Sequence, residues 1–410
     1  MLANRQFKTG MYIIAGFLVV FVVLPNTINF RERAAFSPEK RIEWASEEVN
    51  VNSGLDSISV IPGEYYRRNR LHSFFFGEKY RELWNTDVKL PIERFSKNNP
   101  VFNPIKIGGG QQTVGIDVVD DQGREWAVRS VNKDQSKALP KFLQPTLFRF
   151  MIRDQVAALN PYGALVVPTL AEAIGIYHTN PYLAMVAYDT AFGLYNKRMA
   201  GRVVLIEEDA DGSWKNQEVF DSPEKVIDTE DLAELDQQSL QLDTLLYAKS
   251  RLLDLLISDW DRHEGQWSWG IFKTDSGILA RPIPVDRDMA FYKFDEGLIP
   301  KLMLVFNNKF QSFNPEYGNL KGLGYQARHL DAKILPGVSK QQFIALAESI
   351  QEQLPDSVIN QAFSVYPDKV YQQIGIRHIE VLKERRKQLA TVAGEFYGLV
   401  IENREKNLKK

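Results

Sequence analysis

The chain contains no cysteine. That removes disulfides, thiolate metal sites, cysteine nucleophiles and a lipidated amino-terminal cysteine together. The histidines, His72, His178, His263, His329 and His378, never fall at the spacing of zinc ligands. An excess of one charge is also missing, since 50 Lys and Arg stand against 52 Asp and Glu, a formal net charge of −2. There is accordingly no electrostatic case for nucleic acid as the main partner. No internal repeat or low-complexity tract interrupts the sequence. What remains is ordinary globular composition, 44% hydrophobic, 25% charged and 11% aromatic over 410 residues. Such a length corresponds to about two or three domains.

Arg5 and Lys8 precede an apolar run over residues 11–24, and Pro25, Asn26 and Asn29 follow it. A full span needs about 20 apolar residues, whereas a signal-peptide core needs only about 7–15. No small-x-small cleavage site follows in residues 30–35. Residues 1–30 therefore read as an uncleaved signal anchor, with the membrane contacted through residues 11–30 and residues 31–410 exported. Arg5 and Lys8 on one side nearly balance Arg31 and Arg33 on the other, so a soluble part on the cytoplasmic face stays open. A buried hydrophobic helix is the remaining reading of the run.

Residues 31–104 read as a tether followed by a basic and aromatic arm. Residues 62–77 alternate the two residue types, with Arg67, Arg68 and Arg70 among Tyr65, Tyr66, Phe74, Phe75 and Phe76. That pattern suits a phospholipid surface or single-stranded nucleic acid. It equally suits an arm that packs its rings on the main domain. Residues 105–131 read as an antiparallel meander turning at Asp120-Asp-Gln-Gly123. A helix follows at 145–159, then strands near 165–167, 182–187 and 202–207. Beyond 225 the period is helical, over 231–257, 339–354 and 377–400. A strand-rich lobe at 105–224 thus precedes a helical lobe at 225–410.

Chemistry concentrates in two segments. Asp259, Asp261, Arg262, His263 and Glu264 crowd the end of an apolar helix, and Asp286, Arg287 and Asp288 follow Val285. The turn at 273–277 folds residues between them into a hairpin, which sets Gln266 opposite roughly Asp286 with Asp261 just beyond. Carboxylates from distant sequence then meet at one end, as a divalent-cation and phosphate site requires. Plain surface ion pairs with Arg262 and Arg287 are the bland alternative. The apolar flanks Trp260, Trp267, Trp269, Val285 and Phe291 argue for a partly buried site instead. For His263 a structural role, holding the loop, is the simpler reading.

The pair Asp261-Arg-His-Glu-Gly-Gln266 and Val285-Asp-Arg-Asp-Met-Ala-Phe291 resembles the active-site core of atypical kinases. Motifs of this form occur in secretory-pathway kinases of the Golgi casein kinase type, in type II phosphatidylinositol 4-kinases and in HipA-type kinases. The resemblance implies an α+β, two-lobed protein-kinase-like fold. It implies Asp261 as the catalytic acid–base or orienting residue, with Gln266 and Asp286 as ligands of Mg²⁺ or Mn²⁺. The backbone of Gly108, Gly109 and Gly110 would cover the phosphates of ATP. Where the family presents a strand lysine this chain has Arg129, with Lys133 just past the strand, and Asp154 is the acid available to partner that cation. Glu207, on the strand at 203–208 where the lobes should join, would lie against the adenine. Gln266 replaces an acidic or Asn ligand but still offers a carbonyl oxygen.

The implied activity is metal-dependent transfer of a phosphoryl group from ATP to a hydroxyl acceptor that no motif identifies. A pseudokinase acting as a membrane-tethered binding module stays open, favoured by Arg129 and Gln266. So does a metal-dependent phosphoester hydrolase. Nothing in the sequence sets the oligomeric state.

Overall fold

The computed structural model describes residues 2–23, 37–97, 101–108, 113–212, 214, 219–236 and 238–408. Its first lobe is built on a 7-stranded sheet of β1 (Ser57–Val60), β2 (Val88–Glu93), β3 (Asn103–Lys106), β4 (Gly115–Val119), β5 (Glu125–Ser130), β6 (Tyr182–Val186) and β7 (Val203–Glu208). The spatial order is β1-β2-β6-β7-β5-β4-β3. Side chains alternate across a strand, so each strand divides its residues between two faces. One face buries Ile116, Val118, Val128, Val204 and Ile206 against Phe95, Phe102 and Phe192. On the other face the antiparallel register aligns Asp117 with Ala127, Ala127 with Glu207, and Arg129 with Leu205. That second face carries the charge.

β1 and β2 come from the segment expected to be a tether and arm. β1 pairs antiparallel with β2, which runs parallel to β6 at Ile92 and Glu93. The arm's Tyr65, Tyr66, Tyr80 and Trp84 are buried, and the Trp84 indole donates to the Leu159 carbonyl at 2.9 Å. β1, β2 and the buried rings between them are therefore part of the folded body rather than a tether.

A 4-stranded sheet, ordered β8-β10-β11-β9, opens the second lobe. It comprises β8 (Lys225–Asp228), β9 (Leu240–Leu242), β10 (Trp267–Thr274) and β11 (Gly277–Pro284). The long helix Ile376–Leu408 packs against Lys340–Gln353, Arg328–Ile334, Asp356–Phe363 and Thr244–Leu256. Ser339 starts the helix Lys340–Gln353 with a reciprocal capping box to Gln342.

Two expectations need correction. Residues 165–167 lie inside the helix Gly163–Ala173, because a short apolar run suits a buried helix as well as a strand. The helix expected from 231 starts at Thr244, where the Asp243 side chain accepts from the Leu246 amide, and residues 231–242 hold a 3-10 turn and β9. The expected anchor is described only in part. Leu2–Leu18 is α-helical and Val19–Val23 is a π-helical turn, while the remainder of residues 1–30 lies outside the described residues. Among the described residues no helix is long and apolar enough to cross a membrane.

Candidate functional site

The loop that begins at Ser258 is set by how its preceding helix ends. Helix Thr244–Leu256 leaves unpaired carbonyls at its carboxyl end, as any helix does. Arg385, from the carboxyl-terminal helix, donates Nη2 to the Leu255 carbonyl at 2.7 Å and Nε to that of Leu256 at 2.8 Å. Ser258 then takes a positive φ of 56°, and the chain leaves the helix axis. Beneath the loop lies a buried charge network. Asp254 accepts from Arg251 and Arg287 and sits 3.5 Å from Arg262 Nε, while Arg251 also pairs with Asp331. Arg262 donates to the carbonyls of Val285 and Gln266, both at 2.7 Å. One guanidinium thereby joins the loop to both ends of the hairpin. His263 holds the loop, its Nδ1 accepting from the Gly265 amide at 3.1 Å.

The hairpin forms as expected, with Thr274 paired to Gly277 and Trp267 to Pro284. Gln266 lies opposite Val285 in the ladder, one position from the expected register. Asp286 follows with a positive φ of 52°. Non-glycine residues seldom adopt that backbone, and it turns the carboxylate back toward Gln266. Gln266 Nε2 stands 3.3 Å from Asp286 Oδ2, and among the described residues the buried Oε1 of Gln266 has no hydrogen-bond partner.

This end of the hairpin faces the charged side of the first sheet. Arg129, Leu205 and Glu207 from the sheet, Lys133, and Asp286 and Asp288 line one cleft that opens to solvent. Lys133 forms an ion pair with Asp288. Burial pushes the Lys133 ammonium down, against the opposing pull of Asp286 and Asp261. For Asp286 burial works upward, but Lys133 and Arg129 outweigh it and hold its carboxyl below the ordinary range. Burial, reinforced by Asp286, raises Glu207 to about 7 even though Thr179 donates to it at 2.6 Å. Asp261 is half-buried and accepts from Gln326 at 2.9 Å. Asp259 is fully enclosed, with Arg262 at 3.7 Å but no hydrogen bond among the described residues, and burial raises its pKa.

The structure thus brings together Arg129, Glu207, Gln266 and Asp286, and the field of Asp261 reaches Lys133. Gly108 is buried, and a Cβ there would stand 2.4 Å from Asp117 Oδ1. Gly109 and Gly110 lie outside the described residues. Asp154 is not the partner of Arg129. It accepts from Arg81 at 2.9 Å, and Arg129 has Asp117 at 3.7 Å instead. Lys133 and Asp288 are the cleft residues that sequence reading left in second place. Their signal was the Asp-x-Asp spacing at 286–288 and a lysine directly past a charged strand.

The residues suit a hard divalent cation. Asp286 stays ionised, the Gln266 amide beside it can turn its unpartnered oxygen to the same carboxylate, and oxygen donors are what Mg²⁺ and Mn²⁺ take. No family model matches the chain, and no curated protein matches it. In structure it is similar to the Helicobacter pylori proinflammatory kinase CtkA at 14% identity and TM-score 0.37, covering 76% of this chain and 99% of that one. It is similar to HipA of Shewanella oneidensis, solved with HipB and operator DNA, at 12% identity and TM-score 0.32, over 75% of this chain and 70% of that one. A Golgi casein kinase aligns at 8% identity and TM-score 0.33 over 90% and 88% of the two chains.

Proposed function

We propose that the cleft binds ATP with a divalent cation and transfers its terminal phosphoryl group to a hydroxyl acceptor. The observation that carries this reading is convergence. Cations and carboxylates from β5, β7, the loop at 133 and the hairpin end at 286 line one opening between the lobes, and the charge of Asp261 acts on Lys133 there. Phosphoryl transfer needs chiefly positioning and charge stabilisation, and such a set supplies both. Lys133 and Arg129 would neutralise phosphate oxygens, and Lys133 would exchange Asp288 for phosphate as nucleotide enters. Asp286 and the Gln266 amide oxygen would hold Mg²⁺ or Mn²⁺, which supplies further charge neutralisation when bound. Asp261 would accept the hydroxyl proton as the acceptor oxygen bonds to phosphorus and the bond to the departing ADP oxygen breaks. Arg262 and His263 keep Asp261 in place by fixing its loop.

The test is turnover of labelled ATP by the full chain with Mg²⁺ or Mn²⁺, beside Asp261→Asn. Label transfer to protein, lipid or water that falls at least about a hundredfold in the variant supports the reading. A well-folded chain that binds ATP with equal, negligible turnover in both proteins would contradict it. A binding module would then be the better description, as the arginine at 129 suggests. For placement we propose tethering through residues 11–30 with the remainder exported. A reporter fused after residue 40 checks this, and a cytoplasmic signal would overturn it.

A further inference from the structure

Two short helices leave the body of the protein side by side, and the cleft has no use for them. Arg70–Phe76 ends at Gly77 and Leu298–Phe306 starts after Gly297. Both glycines have φ of +88°, and a Cβ at Gly297 would stand 2.3 Å from the Gly77 nitrogen. Only glycine permits that approach. From there the helices pack on each other, with Met303 and Leu304 turned to the core. Their outer faces expose Leu71 (69%), Phe74 (65%), Val305 (75%) and Phe306 (84%). Apolar side chains so grouped mark an interaction surface.

Charge identifies what covers it. Residues 65–77 and 297–315 contain Arg67, Arg68, Arg70, Lys301 and Lys309 and no Asp or Glu, in a chain whose net charge is −2. Arg68 turns to Asp154, and Lys309 lies over the rings of Trp260 and Phe310, whereas Arg70 and Lys301 stand exposed beside the apolar side chains. A second copy of the chain would set like charges against each other across a two-fold axis. A surface both apolar and anionic meets the requirement. The amino-terminal segment points the same way, exposing Met11, Ile13, Ile14 and Phe17 behind Lys8. Its Val19–Val23 turn touches helix Leu147–Asp154, and Asp154 at the end of that helix lies 3.7 Å from His72. Both apolar elements thus contact the same short helix.

We propose that the helices Arg70–Phe76 and Leu298–Phe306 form a docking face for an anionic phospholipid bilayer. Aromatic and aliphatic side chains enter the interface while the cations meet lipid phosphates. The docking does not depend on whether the cleft transfers phosphate.

The absence of cysteine permits single labelling. Phe306→Cys and, as control, Glu348→Cys on helix Lys340–Gln353 are made in the full chain and carry an environment-sensitive fluorophore. Each is titrated with vesicles of phosphatidylcholine alone and of phosphatidylcholine with phosphatidylserine. Emission at 306 should rise and shift to the blue on the anionic vesicles while the label at 348 stays unchanged. Arg70→Gln with Lys301→Gln should lower the preference for anionic vesicles roughly thirtyfold. A chain that sediments with vesicles while the label at 306 stays unchanged would overturn the proposal, leaving the amino-terminal segment as the membrane contact. A change at 306 that tracks protein concentration without vesicles would also overturn it, making the face a self-association surface.

Discussion

Gln266 and Asp286 face each other at the open end of the β10–β11 hairpin, amide nitrogen 3.3 Å from carboxylate oxygen. Twenty residues apart in sequence, they meet because Arg262 grips the carbonyls of Val285 and Gln266 together. Among the described residues the oxygen of the same amide has no hydrogen-bond partner. A cation shared by the two side chains would draw that oxygen toward Asp286 by rotation of the amide.

Two cations reach the cleft, and they should not be equivalent. Arg129 already has Asp117 at 3.7 Å and feels Asp286 only through its field, whereas Lys133 pairs directly with Asp288 of the hairpin end. A lost charge-assisted hydrogen bond costs about 1.5–3 kcal/mol, or roughly ten- to hundredfold in affinity. Lys133→Met should weaken ATP binding by that factor and Arg129→Met by less. Titration of both variants decides. A larger loss in Arg129→Met would restore the arginine as the principal phosphate cation.

Glu207 supplies a pH test. Its folded pKa of about 7 lies above the ordinary 4.5 of a glutamate. The folded state therefore holds a proton that the unfolded chain has released between those values, and stability falls as pH rises through that window. Glu207→Gln keeps an acceptor for Thr179 but cannot ionise. It should be near neutral at pH 4.5 and stabilising above pH 7, by on the order of 3 kcal/mol. Urea melts at the two pH values measure this. An equal effect at both would show that Glu207 carries no burial penalty.

Asp254 is the common acceptor beneath the loop, with Arg251, Arg262 and Arg287 around it. Removing one member of a buried ion network costs about 3–5 kcal/mol, because its partners stay buried without compensation. Asp254→Ala should destabilise the fold by that amount in denaturant melts. A change below about 1 kcal/mol would mean that water or Asp259 takes over the three guanidinium groups.

The hairpin and its carboxylates were legible because a turn between two alternating strands fixes which residues face each other, here to within one position. The meander at 105–131 and the capped helix after Ser339 were legible for the same local reasons. Distant partners were not. β2 was hidden by Pro91, a residue that argues against a strand, and it meets β6 only at Ile92 and Glu93. Nothing local to Asp154 tells that Arg81, 73 positions earlier, takes it from Arg129. Lys133 follows the last residues of β5, so its direction depends on the bend after Ser130 rather than on strand alternation.

The central claim is that Asp286 makes the hairpin end a metal-dependent nucleotide site. Isothermal titration of ATP with Mg²⁺ or Mn²⁺ into the full chain and into Asp286→Asn tests it most directly. The account predicts binding that requires the cation and is lost in the variant, with the fold intact by circular dichroism. Equal binding by both proteins, or none by a well-folded wild-type chain, would contradict it.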